Sequence, residues 1–314
     1  MIRQKMQAIL ALVLTLMSGM ACAGAPAAQA GKSQLPPVKA QQVAPRIWWL
    51  NAAGGNMTAL IGKDGTLLVD AEFKPFVPEI LAKLKAIGGG APKFVIDTHY
   101  HADHSDGNGA MRAAGATVIA QVRVRDRLTW VQRSALGASV PAPVPVADLP
   151  DITYRQRMTL HFDGETVHIR HLPGAHTDGD SVVVFEQANV VATGDLFFNG
   201  MYPYIDVNAG GSVGGVIADI DRMLGWMDDK TVVIPGHGAV TDKALLERYR
   251  DMLATARDKV RELIDAGKTL EQIQAMHPTA SLDATWNRLG NAKDVRRFVG
   301  ELYYSQVTHF PGAE

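Results

Sequence analysis

The chain predicts an α+β protein in which two half-sheets are flanked by helices, and three observations carry that reading. Short apolar segments punctuated by Gly, Asn and Asp turns occupy Ile47 to Val69. A second series of such segments runs from Met158 to Thr193, and segments of helical period stand outside both, the longest over Asp242 to Ala266. With 314 residues and 47% hydrophobic content the chain can bury a large core, and its length permits one or two domains. No internal repeat is visible. A formal net charge of -1 provides no electrostatic footprint for nucleic acid, so no nucleic-acid partner is expected.

Residues 1–30 read as a secretory signal peptide: Arg3 and Lys5 precede the apolar run Ile9 to Met17, and the small-residue stretch Ala28-Gln29-Ala30 follows. That run is too short to cross a bilayer comfortably and no later one is long enough. The expectation is a soluble exported protein, periplasmic or secreted, with no transmembrane span. Cys22, the sole cysteine, lies inside this leader, but Gly19 stands where lipoprotein signals usually carry leucine, so a lipid anchor is not expected. Cleavage after Ala30 would leave a chain without a thiol, hence without disulfides or cysteine ligands. Residues 31–45, rich in Pro, Gln, Ala and Lys, read as a flexible lead-in, with order beginning near Ile47.

Ile47 to Leu50, Thr58 to Ile61 and Thr66 to Val69 then form a β-meander, with Gly54-Gly55-Asn56 and Lys63-Asp64-Gly65 as its turns. Pro75 to Ile87 sets Phe76, Ile80, Leu81, Leu84 and Ile87 on one helical face and ends at Gly88-Gly89-Gly90. A buried strand over Lys93 to Asp97, a helix over Gly109 to Ala114, a strand over Thr117 to Ala120, an Arg-rich helix to Leu136 and a Pro-rich loop from Pro141 to Pro150 follow. In the second half, Val167 to Leu172, Ser181 to Glu186, Val190 to Thr193 and Thr231 to Ile234 read as strands. Val213 to Met227 and Asp294 to Ser305 read as helices, and Thr269 with Gln272 reads as a capping box.

Between the strand at Lys93 and the helix at Gly109 lies Thr98-His99-Tyr100-His101-Ala102-Asp103-His104, four metal-capable side chains in six residues. In extended backbone the side chains at i and i+2 point the same way, so His99 and His101 can grip one ion, while Asp103 and His104 address a position close by as the chain turns. Three later segments share one form, a buried strand ending in a Gly-flanked loop that presents one such side chain. They present His176 after Pro173-Gly174, Asp195 after Gly194, and His237 between Gly236 and Gly238. Glycine permits close backbone approach and the strand holds the ligand rigid.

Taken in order with Asp70, these motifs resemble those of the metallo-β-lactamase superfamily over residues 45–242. The resemblance implies a four-layer αββα sandwich, with residues 243–314 adding a C-terminal helical extension to the same domain. It implies one metal held by His99, His101 and His176 and a second by Asp103, His104 and His237, with Asp195 reaching both and Asp70 a structural residue behind them. Two zinc ions per chain are expected, iron or manganese being the alternatives, and an Asp at position 195 favours harder, more oxygen-rich coordination than the cysteine of true β-lactamases. The implied activity is metal-dependent hydrolysis of an amide or ester carbonyl in a small-molecule substrate, with Asp103 as proton shuttle. Three rivals stay open: a glyoxalase II-like thioesterase, an iron enzyme of the persulfide dioxygenase kind, and a non-catalytic metal-binding accessory protein.

Between Asp195 and Lys230 there is no lysine to hold a substrate carboxylate. Phe197, Phe198, Asn199, Met201, Tyr202 and Tyr204 instead offer a surface suited to an uncharged or amphipathic acyl group, with a cyclic amide or ester, β-lactams included, as the favoured substrate. His161, His168, His171, His277 and His309 read as structural or surface residues.

Overall fold

The computed structural model describes residues 35–129, 143–287 and 290–307. The leader with Cys22, the end of the Arg-rich segment and His309 lie outside these residues. Among the described residues no helix is long and apolar enough to cross a membrane.

The first sheet starts earlier than the sequence predicts. β1 (Lys39–Ala44) pairs antiparallel with β2 (Ile47–Asn51), so the second half of the expected flexible lead-in is a strand. It was hidden because an edge strand needs only one hydrogen-bonded neighbour, and KAQQVA, largely exposed, carries no apolar alternation. The meander continues through β3 (Asn56–Gly62) and β4 (Gly65–Val69). α1 (Val77–Ala86) buries Val77, Ile80 and Leu84, and Gly88 leaves it at φ 93. β5 (Pro92–Ile96), α2 (Ala102–Ser105), α3 (Asn108–Ala113), β6 (Thr117–Gln121), α4 (Val122–Thr129) and β7 (Ile152–Tyr154) complete this half. The sheet order is β1 to β7 in sequence, antiparallel up to β4 and parallel beyond it.

The second sheet takes the order β13-β12-β11-β10-β9-β8. Its strands are β8 (Arg157–Phe162), β9 (Glu165–His171), β10 (Ser181–Phe185), β11 (Val190–Ala192), β12 (Val232–Ile234) and β13 (Thr241–Asp242). Its helices are α5 (Val213–Leu224), α6 (Lys243–Asp265), α7 (Leu270–Met276), α8 (Asp283–Trp286) and α9 (Ala292–Val307). The Thr269–Gln272 capping box is formed, and Asp242 caps α6 by accepting from the Leu245 N–H.

Period-2 alternation places two cores. Leu60, Leu67, Ile96 and Ile119 of the first sheet meet Val167, Ile169, Val183 and Phe185 of the second. Val182 and Val191, on the opposite face, meet Ile220, Tyr249, Leu253 and Phe298 of the helices. The result is a four-layer αββα sandwich of the α+β class. β7, β13 and α8 were not legible in the sequence, being too short to show a period.

Register then gathers the loops. Val69 pairs with Ile96 in parallel, so Asp70 and Thr98 leave adjacent strands side by side. Ala192 pairs with Ile234 in parallel, so Asp195 and His237 do the same in the other sheet.

Candidate metal centre

Seven side chains from four loops converge at this edge. Ligand atoms of His99, His101, His176 and Asp195 form one group, and those of Asp103, His104 and His237 another, each within 4.8 Å. Asp195 touches both: Oδ2 lies 3.7 Å from His99 Nε2 and 3.5 Å from His176 Nε2, while Oδ1 lies 3.2 Å from His104 Nε2 and 3.4 Å from His237 Nε2. Asp103 Oδ2 lies 3.2 Å from His237 Nε2.

Three of the imidazoles are oriented from outside the centre through their other nitrogen, which decides the atom left facing it. His176 Nδ1 donates to the Tyr204 carbonyl at 2.8 Å, His101 Nε2 to Asp206 at 3.0 Å, and His104 Nδ1 to Asp70 at 2.8 Å. Asp70, at φ 64, also accepts from the Thr98 N–H and hydroxyl, so it stands behind the site. Asp180 accepts from the His176 and Thr177 N–H groups and holds that loop.

Whether these residues suit a metal is tested by what they lack. His99 Nε2 and Asp195 Oδ1 are buried without a hydrogen bond of acceptable geometry, a costly condition unless something else is bound. A neutral imidazole set with one bridging carboxylate is the donor chemistry of zinc and its neighbours. The electrostatics favour neutral rings at His99 and His176 in the first group, while in the second burial acts downward but the carboxylates prevail and raise His104 well above its ordinary range and His237 to about 9. Burial pushes His99 well below the ordinary histidine range, helped by His104, and brings His176 down to about 4. Burial acts upward on Asp195, but His237, His104 and His99 outweigh it and hold that carboxyl well below its usual range. Asp103 is likewise lowered, burial being overcome by the His237 hydrogen bond and the charge of His104.

Glycine earns its place here through close approach. A Cβ on Gly55 would sit 2.2 Å from His104 Cε1, and one on Gly236 would sit 2.0 Å from Asp195 Oδ1. The Gly54-Gly55-Asn56 turn therefore belongs to the site. Asn56 Nδ2 donates to the carbonyls of Pro235 and Gly238, both at 2.8 Å, and so fixes the His237 loop. Sequence reading missed this role, and it missed Asp206, for which only an Asp in a Gly-rich loop was available as a signal.

The aromatic loop after Asp195 divides. Phe197 packs on Tyr249 with ring centroids 4.9 Å apart, and Tyr202 on Phe298 at 4.6 Å, so both serve the core. Asn199 ties to the Ala239 carbonyl. Tyr204, 37% exposed, faces a cleft of about 120 Å³ beside His237 together with Met201, Phe198 and the buried Tyr202. α9 adds Arg297 to that cleft, a cation that no local motif announced. The remaining described histidines lie outside both ligand groups: His168 pairs with Glu186, His277 with Asp283, and His171 Nδ1 donates to the Asp180 carbonyl.

Comparison with known proteins agrees with this architecture. The metallo-beta-lactamase superfamily model matches residues 50–247, and the chain belongs to that superfamily, most of whose members are hydrolases. It is 31% identical over 172 residues to the uncharacterized protein ML0493 of Mycobacterium leprae, covering 52% of this chain and 76% of that one. It is 26% identical over 203 residues to a metallo-beta-lactamase type 2 of Bacillus sp. (strain 170), covering 64% and 74%. The crystal structure of DIM-1 metallo-beta-lactamase superposes with a TM-score of 0.59 at 17% identity, over 71% of this chain and 100% of that one, a likeness of fold alone.

Proposed function

We propose that the protein is an exported dinuclear zinc hydrolase that opens a cyclic amide or ester, β-lactams among its substrates. The observation that carries the reading is Asp195, which turns one carboxylate oxygen to each histidine group in a site whose buried His99 Nε2 has no hydrogen bond. His99, His101 and His176 would hold the first metal, Asp103, His104 and His237 the second, and Asp195 both. Bound there, the ions supply Lewis-acid polarisation of a carbonyl oxygen and a lowered pKa for water at neutral pH.

The chain's own residues do the rest. Asp103, ionised and partly exposed, accepts the proton lost by the attacking water and returns it to the departing oxygen or nitrogen. Tyr204 and Met201 present an apolar floor to the substrate's body. Arg297 does not supply a free cation, because its guanidinium donates to Glu301 at 3.0 Å and lies 3.5 Å from Asp294. That supports a substrate without a carboxylate to anchor, hence a neutral lactone or lactam ahead of a charged one.

The test is kcat/KM of metal-analysed protein on a neutral lactone, a chromogenic cephalosporin, a thioester and a phosphodiester, with a chelator control. Chelator-sensitive turnover of the lactone above the others is expected. Turnover of the thioester alone would replace this reading by the thioesterase one, and iron retained on purification without added metal would replace zinc.

A further inference from the structure

The outer face of the second sheet carries a concentration of positive charge that the metal centre does not use. β8 is the free edge of that sheet, and Arg157 on it is the register partner of Arg170 on β9. Both belong to the face on which Val182 and Val184 meet the helices, because Arg170 pairs with Val182 across β9 and β10. α5 covers the middle strands and leaves this edge open. Its C-terminal end contributes Arg222 and the following Trp226 to the wall of a cleft of about 510 Å³, within the size range of small-molecule sites.

Three features set this cleft apart from an ordinary solvated surface. Like charges directly opposite on neighbouring strands destabilise a sheet, and here two arginines face each other. No carboxylate lines the cleft, and among the described residues neither Arg157 nor Arg170 has an ion-pair partner. Arg222 is paired, but with Asp219, which is buried and does not line the cleft. In a chain of net charge -1, this excess is local and not a reflection of composition. Third, Arg170 is not a loose side chain: its guanidinium carbon sits over the Trp226 ring, 4.3 Å from its centroid, and this cation–π contact holds it at the cleft. A carboxylate satisfies one guanidinium fork, whereas three guanidinium groups around one cleft suit a group with three or more acceptor oxygens. The rim of the indole adds an apolar stretch of wall beside them.

We propose that this cleft is a second ligand site, separate from the metal centre, for a small organic phosphate or sulfate ester carrying a planar ring. Arg157, Arg170 and Arg222 take the anionic oxygens, and Trp226, whose face carries Arg170, offers the rim of its indole to the ring. The cleft shares no lining residue with the one beside His237.

Isothermal titration with phenyl phosphate, phenyl sulfate, inorganic phosphate and benzyl alcohol tests it, with indole fluorescence of wild type against Trp226→Phe as the local readout. Phenyl phosphate should saturate one site that a chelator leaves intact, and benzyl alcohol should not bind. The relative affinity of phenyl phosphate and phenyl sulfate identifies which ester the site prefers. Replacing both Arg157 and Arg170 by Ala should weaken the phenyl ester at least tenfold, and Trp226→Ala, which removes the ring contact and releases Arg170, should weaken the phenyl ester by more than it weakens inorganic phosphate. If the double variant fails to fold, Arg157→Gln alone, at an exposed position, should still weaken binding. Binding that persists unchanged in these arginine variants, that vanishes with chelator, or that is absent for both esters in wild type would overturn the proposal.

Discussion

Gly55 carries no side chain because His104 fills the space one would need. His104 is fully buried, so it cannot step aside, and Gly55→Ala should displace its Nε2 from Asp103 and His237. Elemental analysis of that variant should find one ion per chain where two are expected of wild type. Asp195→Asn removes a charge that would help balance two metal ions, and should lower second-metal occupancy and turnover by about 10-fold or more. Metal content and turnover near wild type would take Asp195 out of the site. His237 makes the second position pH-sensitive. Burial acts downward on it, but Asp195 and the Asp103 hydrogen bond prevail and raise it to about 9 in the metal-free protein. A raised histidine pKa means the folded state binds this proton more tightly than the unfolded chain. Its contribution to stability is therefore fully present below about pH 6.5 and is lost as pH rises through about 9. The same proton must leave when metal binds, and so must one from His104, on which burial acts downward but Asp195 and Asp70 prevail and raise it well above the ordinary histidine range, so zinc affinity at the second position should rise by at least about tenfold per pH unit until about 9 is reached. Zinc titrations of metal-free protein across this range check the slope, and an affinity independent of pH would contradict it.

At the scale of elements, α9 reaches the metal centre without touching it. Glu301, almost fully buried, accepts from the Ile205 N–H at 3.0 Å, and Arg297 donates to the Pro203 carbonyl at 3.1 Å. Between and beside these contacts lie the Tyr204 carbonyl that orients His176 and the Asp206 carboxylate that orients His101. The helix thus clamps the short segment that sets two imidazoles of the first position. Glu301→Ala should leave the Ile205 N–H unpaired and loosen that segment, lowering first-position metal affinity by about 10- to 100-fold. Glu301→Gln, whose amide oxygen still accepts, should recover part of it. Chelator competition reads the affinity and a thermal melt reads the fold. An equal loss in both variants, matched by a fall in melting temperature, would reduce the clamp to simple packing.

For the whole molecule, the helices after residue 242 share a core with the second sheet. Tyr249, Leu253 and Phe298 lie in one cluster with Val182, Val191, Phe197 and Ile220. Removing residues 243–314 would uncover that cluster, including the fully buried Tyr249, so the truncated chain should not fold cooperatively. A sharp thermal transition and dispersed NMR spectrum from residues 36–242 would show otherwise.

Much of this was open to the sequence, because strand period, turn chemistry and ligand spacing are local properties. His99 and His101 two residues apart, and His176, Asp195 and His237 each after an apolar run and a glycine, could be read without knowing where the chain goes. β1, β7 and α8 could not, being too short or too exposed to carry a period. The substrate-facing surface was only half legible: Phe197 and Tyr202 turn into the core, and the cleft's cation comes from Arg297 on a distant helix. By itself the sequence determined most of the strands and helices along the chain and which side chains are candidate ligands. Only the tertiary structure decided which nitrogen of His101, His104 and His176 faces the centre. That choice belongs to the partner of the other nitrogen, and Asp70, the Tyr204 carbonyl and Asp206 reach their rings through sheet register and the α9 clamp, not through nearness in the chain.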